Sequence, residues 1–367
     1  MERKFLATLI LVAMALGAGC AGILPGPPVA LPAIVPVEGA SLDPLPAHTF
    51  PFEGGEETIR IDPDPAVYAG AKGADRRLHL ARDLSGEEWI PLYYRAFESE
   101  PHLEPFYADL LAALRDIRDR EGLDDDRYLE LIAAFVQSIP YRTDASIVEP
   151  KFPIETYVDR EGDCDDRSLL LAGLLAREGY GVALFYFEDE AHMAVGVQST
   201  GCHYRNTSLA YIETTNVSYV GIPPLALSSG VVLASDPLVI PVGGGPRLYT
   251  GCDQIETIER ALSSSLARAG AFAPELAARA RDIGAERESI EAFGTRLKAL
   301  SRAGEFLEYN RLVPEYNRKT REYNDAVQAY NALLAESRAA VDLHNHLVTH
   351  ACDRPGSYLR ARAYLAG

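Results

Sequence analysis

The spacing of apolar positions changes character along the chain, and each change marks a different element. Thr58-Ile59-Arg60-Ile61-Asp62 alternates polar and apolar after a Gly54-Gly55 turn, which predicts strand structure within 47–75. The period then becomes helical, roughly over 101–120 and 125–138. In the second stretch Leu129, Ile132, Ala133 and Val136 recur three and four apart and build one apolar face. Asp124, Asp125 and Asp126 stand at its start, where the helix dipole favours negative charge. Residues 139–163, with Pro140, Pro150 and Pro153, predict a loop. Over 166–178, Leu169, Leu170, Leu171, Leu174 and Leu175 leave little polar surface, so a buried helix is expected, ended by Gly179. β-Branched and aromatic residues then predict strands at 182–187, 192–197, 211–215 and 231–240.

The last third is helical throughout, about 254–350. Tyr309, Tyr316, Tyr323 and Tyr330 repeat every seven residues, each followed by Asn. Phe306, Val313, Val327, Leu334, Val341 and Val348 keep the same period, with Thr320 as its polar member, so an a/d seam with tyrosine at d is expected. Ile283, Ile290 and Leu297, joined by Phe293 and Leu300, carry a heptad of their own. Ala303-Gly304 is the natural turn between two antiparallel arms, and Pro314 is expected to kink or restart the second. The tyrosine stripe reads as the core of this hairpin; its alternative is a binding face, which leaves room for self-association through the hairpin.

Composition adds the cellular setting. Hydrophobic residues make up 47% and charged residues 24% of the 367 residues, a globular balance. The formal net charge of −18, with no long Lys/Arg run, argues against nucleic acid as a partner. Arg3 and Lys4, the apolar run 5–16, small residues 17–19 and then Cys20 resemble a prokaryotic lipoprotein signal, implying cleavage before Cys20 and lipid on its thiol. Leu16 lies four rather than three residues before the cysteine, a departure from that pattern. The alternatives are an uncleaved signal anchor or ordinary secretion; all three place the protein outside the cytosol. Pro25, Pro27, Pro28, Pro32, Pro36, Pro44 and Pro46 then predict an extended tether.

Outside the cytosol disulfides persist. Cys252 and Cys352 bracket the helical region, and an antiparallel hairpin would return one to the other, so these two are the expected pair, with Cys202 free.

The candidate chemistry centres on Gly162-Asp163-Cys164-Asp165-Asp166, which leads directly into the leucine-rich helix. A thiol at a helix N-terminus meets the positive end of the dipole and free N–H groups; both favour a thiolate and can hold an oxyanion. His192 opens a strand and is placed to act as base, and Glu213, in Tyr-Ile-Glu-Thr-Thr, to orient the imidazole. Gln137 and Tyr141 are candidate oxyanion donors, or equally makers of loop hydrogen bonds. Cys202 and His203 are adjacent, a poor bite for zinc, and no Asp/Gly-rich calcium loop is present, so no metal or cofactor is expected. Asn206-Thr207-Ser208 and Asn216-Val217-Ser218 match the glycosylation sequon.

Taken in order, 135–141 (Phe-Val-Gln-Ser-Ile-Pro-Tyr), 152–156 (Phe-Pro-Ile-Glu-Thr), the 162–166 motif, His192 and 211–215 resemble the transglutaminase-like superfamily, in its exported archaeal and bacterial branch. The resemblance spans about residues 100–225. It implies a papain-like α+β core, with the nucleophile's helix on an antiparallel sheet, and the roles of nucleophile for Cys164, general base then acid for His192, and orienting acid for Glu213. The commoner acid is Asp. The expected divisions are therefore a signal peptide (1–19), a lipidated tether (20–46), a transglutaminase-like domain (47–250), a helical hairpin (251–355) and a C-terminal tail (356–367). The implied activity is thiol acyl transfer on surface protein or cell-wall peptide, with a catalytically inactive binding or assembly module as the alternative.

Overall fold

The computed structural model describes residues 29–80, 83–143 and 149–366. Cys20 and the signal segment lie outside the described residues.

In chain order the elements are β1 (Val29–Ala30), β2 (His48–Phe52), β3 (Gly55–Ile59), α1 (Pro65–Gly73), β4 (His79–Leu80), α2 (Gly86–Glu98), α3 (Glu104–Glu121), α4 (Asp125–Gln137), α5 (Pro153–Asp159), α6 (Cys164–Arg177), β5 (Gly181–Phe187), β6 (His192–Gln198), β7 (Leu209–Ile212), β8 (Leu238–Gly244), α7 (Cys252–Ala303), α8 (Phe306–Thr349) and α9 (Arg354–Ala366). The class is mixed α and β, as expected, with antiparallel sheets and a long helical region at the C-terminal end.

The central sheet has the order β7-β6-β5-β8, with every pair antiparallel. Its strands alternate their burden. Leu184, Met193, Val195 and Ile212 enter the main core. Phe185, Phe187, Ala194 and Tyr211 form a second cluster with Tyr204 and Leu233 on the other side. α6 packs against β5, β6 and β8, and α2, α4 and α5 pack against α6 in turn. That explains why α6 is leucine on most sides: it is enclosed by sheet and helices together.

Several expectations are corrected. From Val29 on, the proline-rich stretch is extended but lies along the body: β1 pairs with β4, Ile34 is buried, and the Val37 N–H reaches Ala66 O at 3.0 Å. The loop predicted over 139–163 contains α5, started by Pro153, whose ring fits the first turn of a helix. Helices α1 and α2 occupy ground where strand or nothing was expected. The last strand begins at Leu238 rather than at 231, and the expected tail is α9.

The hairpin forms as predicted. α7 spans 52 residues, about 78 Å of helix. Gly304 adopts φ +78° at the turn, a conformation that glycine takes without strain. Tyr316 meets Phe293 edge-on across the seam at 5.9 Å. The seam then drifts. Val341 and Val348 are exposed, while Ala340, Leu343 and Leu347 are buried. A nearly straight helix of 3.6 residues per turn departs from a strict seven-residue grid after a few heptads, which moves the contact stripe back by one residue. At its base the hairpin is fastened to the body. Arg354 Nε meets Glu130 Oε1 at 2.5 Å, Tyr249 OH donates to the same oxygen at 2.6 Å, and Tyr219 OH donates to Leu347 O at 2.7 Å.

The disulfide is Cys202–Cys252, with Cα atoms 5.3 Å apart; Cys164 and Cys352 are free. The expected Cys252–Cys352 pair is therefore wrong. α8 has 44 residues against the 52 of α7, so it ends eight residues, about 12 Å, short of Cys252. The chain then turns into α9, and the Cys352 carbonyl accepts the Glu53 N–H at 3.1 Å.

Candidate active site

The turn before α6 is built by its acids. Asp163 caps the helix, accepting the Asp166 N–H at 3.3 Å, and donates its own N–H to Asp166 Oδ2 at 3.2 Å. Asp166 Oδ1 accepts the Lys151 N–H at 2.6 Å, which ties the preceding loop to the cap. Gly162 is required here: a Cβ on it would lie 2.8 Å from Asp166 Cβ and 3.1 Å from Thr156 Cγ2. Cys164 is thereby fixed at the first helical position, where it is buried.

β6 brings the second residue. The Met193 N–H points at the Cys164 sulfur, so the strand that opens with His192 lies against the thiol. His192 is itself buried, and its ring stacks on Phe187 at 6.0 Å. Its Nε2 lies 3.4 Å from Glu213 Oε2 and 3.2 Å from Tyr211 OH, which donates to Glu213 Oε2 at 2.7 Å. The other oxygen, Glu213 Oε1, accepts from Thr214 N at 2.9 Å, Thr215 N at 2.8 Å and Thr215 Oγ1 at 2.7 Å. Burial alone would push the Glu213 carboxyl up. His192, followed by the Thr215 hydroxyl and amide, more than offsets this and holds it at about 2. A further link closes the group: Thr214 Oγ1 lies 3.0 Å from Ser168 Oγ and 3.4 Å from Cys164 O.

His192 and Glu213 are thus in contact, and the Met193 amide sets the start of β6 against the buried Cys164. The electrostatics of the thiol run against expectation. Burial, then the Asp165 and Asp163 carboxylates, push Cys164 well above the ordinary thiol range; the Met193 N–H pulls the other way. Asp165 is itself pushed up to about 8 by burial and by its neighbours Asp163 and Asp166. It accepts the Cys164 S–H at 3.4 Å. Asp163, Cys164 and Asp165 present ligand-type atoms within 4.8 Å of one another, but these hydrogen bonds account for them as a capped helix start.

Of the two candidate oxyanion donors, Gln137 is ruled out by its own bonds. Its Nε2 donates to Glu213 O at 2.8 Å and Ser218 O at 3.2 Å, and its Oε1 accepts the Ser218 N–H at 3.2 Å. It fastens the segment that carries the acid. Tyr141 bridges to Gly162 and remains half-exposed beside the thiol. Burial and the proximity of Cys164 push its hydroxyl up to about 12.

Comparison with protein-family models, curated proteins and solved structures finds no match to this chain. The site must therefore be read from its own geometry.

Two site residues escaped sequence reasoning. Tyr211 precedes Glu213 by two, the strand period, so the two side chains share a face; that spacing could have revealed it. Arg167 carried no such signal, because a cation within a leucine-rich helix reads as a solvated position. A groove of about 600 Å³ lies nearby, with Ile90, Tyr186, Glu188 and Leu238 in its wall. The Tyr186 ring sits 5.7 Å from Tyr94, which feels the charges of Asp165 and Cys164. No helix of the described residues is long and apolar enough to cross a membrane.

Proposed function

We propose that the protein is a thiol acyl-transfer enzyme of transglutaminase-like type, with a papain-like core and Cys164, His192 and Glu213 as its triad. The observation that carries this reading is the buried His192–Glu213 contact beside the thiol, in which the carboxylate is held ionised by five donors and the imidazole Nε2 is committed to it. That leaves Nδ1 to exchange a proton with sulfur. Sulfur attacks a carboxamide or peptide carbonyl, the C–S bond forms, and the thiol proton passes through His192 to the departing nitrogen as the C–N bond breaks. Water or an amine then attacks the thioester, giving acid or new amide and returning the proton to sulfur. The Cys164 N–H at the start of α6, with Tyr141 beside it, suits the oxyanion. The groove bordered by Tyr186 is where a peptide would approach, and lipidation of Cys20 would hold the enzyme at the membrane facing surface protein or wall peptide.

The test is incubation of the full exported chain with a glutamine-containing peptide and a primary amine, followed by mass spectrometry of the Cys164 peptide. A thioester adduct that is absent from Cys164→Ala supports the reading; no adduct and no product from either protein sinks it.

A second reading is favoured by one observation, the acids and burial that disfavour the thiolate. On it, the fold is a non-catalytic surface module that assembles through its hairpin. Hydrodynamic mass separates the two: this reading requires association that is lost when the arms are shortened, and no adduct on Cys164.

A further inference from the structure

A further buried charge stands beside the triad. Arg167, one turn into α6 from Cys164, is 1% exposed. Its Nη1 donates to Thr215 O at 3.2 Å, and its Nη2 to Gln137 O at 2.6 Å and Val136 O at 3.3 Å. Its Nε has no hydrogen-bond partner among the described residues. No carboxylate of a described residue forms an ion pair with it. A buried guanidinium without a counter-ion is costly, and three carbonyl dipoles offset only part of that cost. The groups whose negative charge favours it are Glu213, Tyr141 and Cys164.

We propose that Arg167 is the positioning residue of the site: it clamps the Glu213 segment through Thr215 and Gln137, and it supplies the fixed positive charge that an anionic Cys164 needs. This rests on the acyl-transfer reading of the same residues. The groups coupled to the thiol are Asp163, Asp165 and Arg167 on α6, the Met193 amide next to His192 on β6, Tyr211 on β7, Tyr94 on α2, and Tyr141 after α4. The acids among them oppose an anionic sulfur. Arg167 is the fixed cation beside them: burial lowers its guanidinium to about 10, and it therefore keeps its proton at neutral pH. A lysine would not serve equally: buried, it sheds its proton far more readily.

The experiment is the pH dependence of Cys164 alkylation by iodoacetamide in the full chain, read by peptide mass spectrometry with Cys352 as internal reference. The variants are Arg167→Gln, Arg167→Met and Arg167→Lys, the second uncharged variant covering a failure of the first to fold. Removing the charge is expected to move the Cys164 midpoint upward by about one to two pH units, the scale of one nearby unit charge at an effective dielectric of about 20. Arg167→Lys is expected to restore the midpoint only in part, because a buried lysine sheds its proton more readily. A merely structural role predicts a slower reaction or lower melting temperature with the midpoint unmoved, and that result overturns the proposal. Failure of the acyl-transfer reading shows separately, in a His192→Ala variant whose profile matches wild type whatever happens at Arg167.

Discussion

Glu213→Gln probes the site most sharply, because it keeps the shape and changes one atom's role. The carboxylate accepts three donors on Oε1 and Tyr211 OH on Oε2, with His192 Nε2 at 3.4 Å. With the amide oxygen turned to the threonines, its NH2 faces His192 Nε2, which must then accept. The imidazole proton moves to Nδ1, and that nitrogen can no longer take the proton of the thiol. By analogy with other triad acids the rate should fall by ~10⁴-fold. Stability falls as well. The carboxyl is lowered from 4.5 to about 2, which is worth on the order of 3 kcal/mol. A depressed carboxyl stabilises the fold above its unfolded value and loses that contribution as pH falls through its folded value. The wild-type advantage should therefore be full above about pH 4.5 and vanish towards pH 2. Chemical denaturation of both proteins across this range, with Cys164 alkylation rates at neutral pH, checks both halves. An unchanged alkylation rate, or a stability gap that does not narrow with acid, would refute the reasoning.

Three further outcomes are expected. Asp165→Asn should lower the alkylation midpoint of Cys164, since after burial this carboxylate is what most raises the thiol; an upward or absent shift in the same assay contradicts that. Cys202→Ser should cost up to about 4 kcal/mol, the chain-entropy value for a loop of that size, the bridge spanning 50 residues; non-reducing peptide mapping that links Cys352 to either partner would be fatal to the assignment. His48 is held at about 4, against an ordinary 6.5, by burial and by Arg160. Its folded imidazole stays neutral, so stability should drop between about pH 6.5 and 4, by on the order of 3 kcal/mol. His48→Gln should flatten that slope in acid denaturation; an unaltered slope counts against it.

What the sequence made legible follows from periodicity. The tyrosine heptads demanded a partner helix, and Ala303-Gly304 was the place to turn. The leucines of α6 demanded enclosure, and sheet and helices supply it. The order of Cys164, His192 and Glu213 was readable because each falls at the start or end of its own element. What stayed hidden depends on distances between elements. The disulfide turned on the eight-residue mismatch between the hairpin arms, which no single arm reveals. Gln137 carried the right chemistry for an oxyanion, but its amide is consumed at both ends by the 213–218 segment. The helix N-terminus promised a low thiol pKa, and the acids that cap that same terminus reverse it.

The proposed chemistry turns on His192 taking the proton from Cys164. The most direct measurement is the alkylation rate of Cys164 at fixed pH in wild type and His192→Ala, with the free thiol of Cys352 in the same molecule as reference. The ratio of Cys164 to Cys352 reactivity should fall by at least ~10²-fold when the base is removed, while circular dichroism shows the fold retained. An unchanged ratio in a folded variant would contradict it.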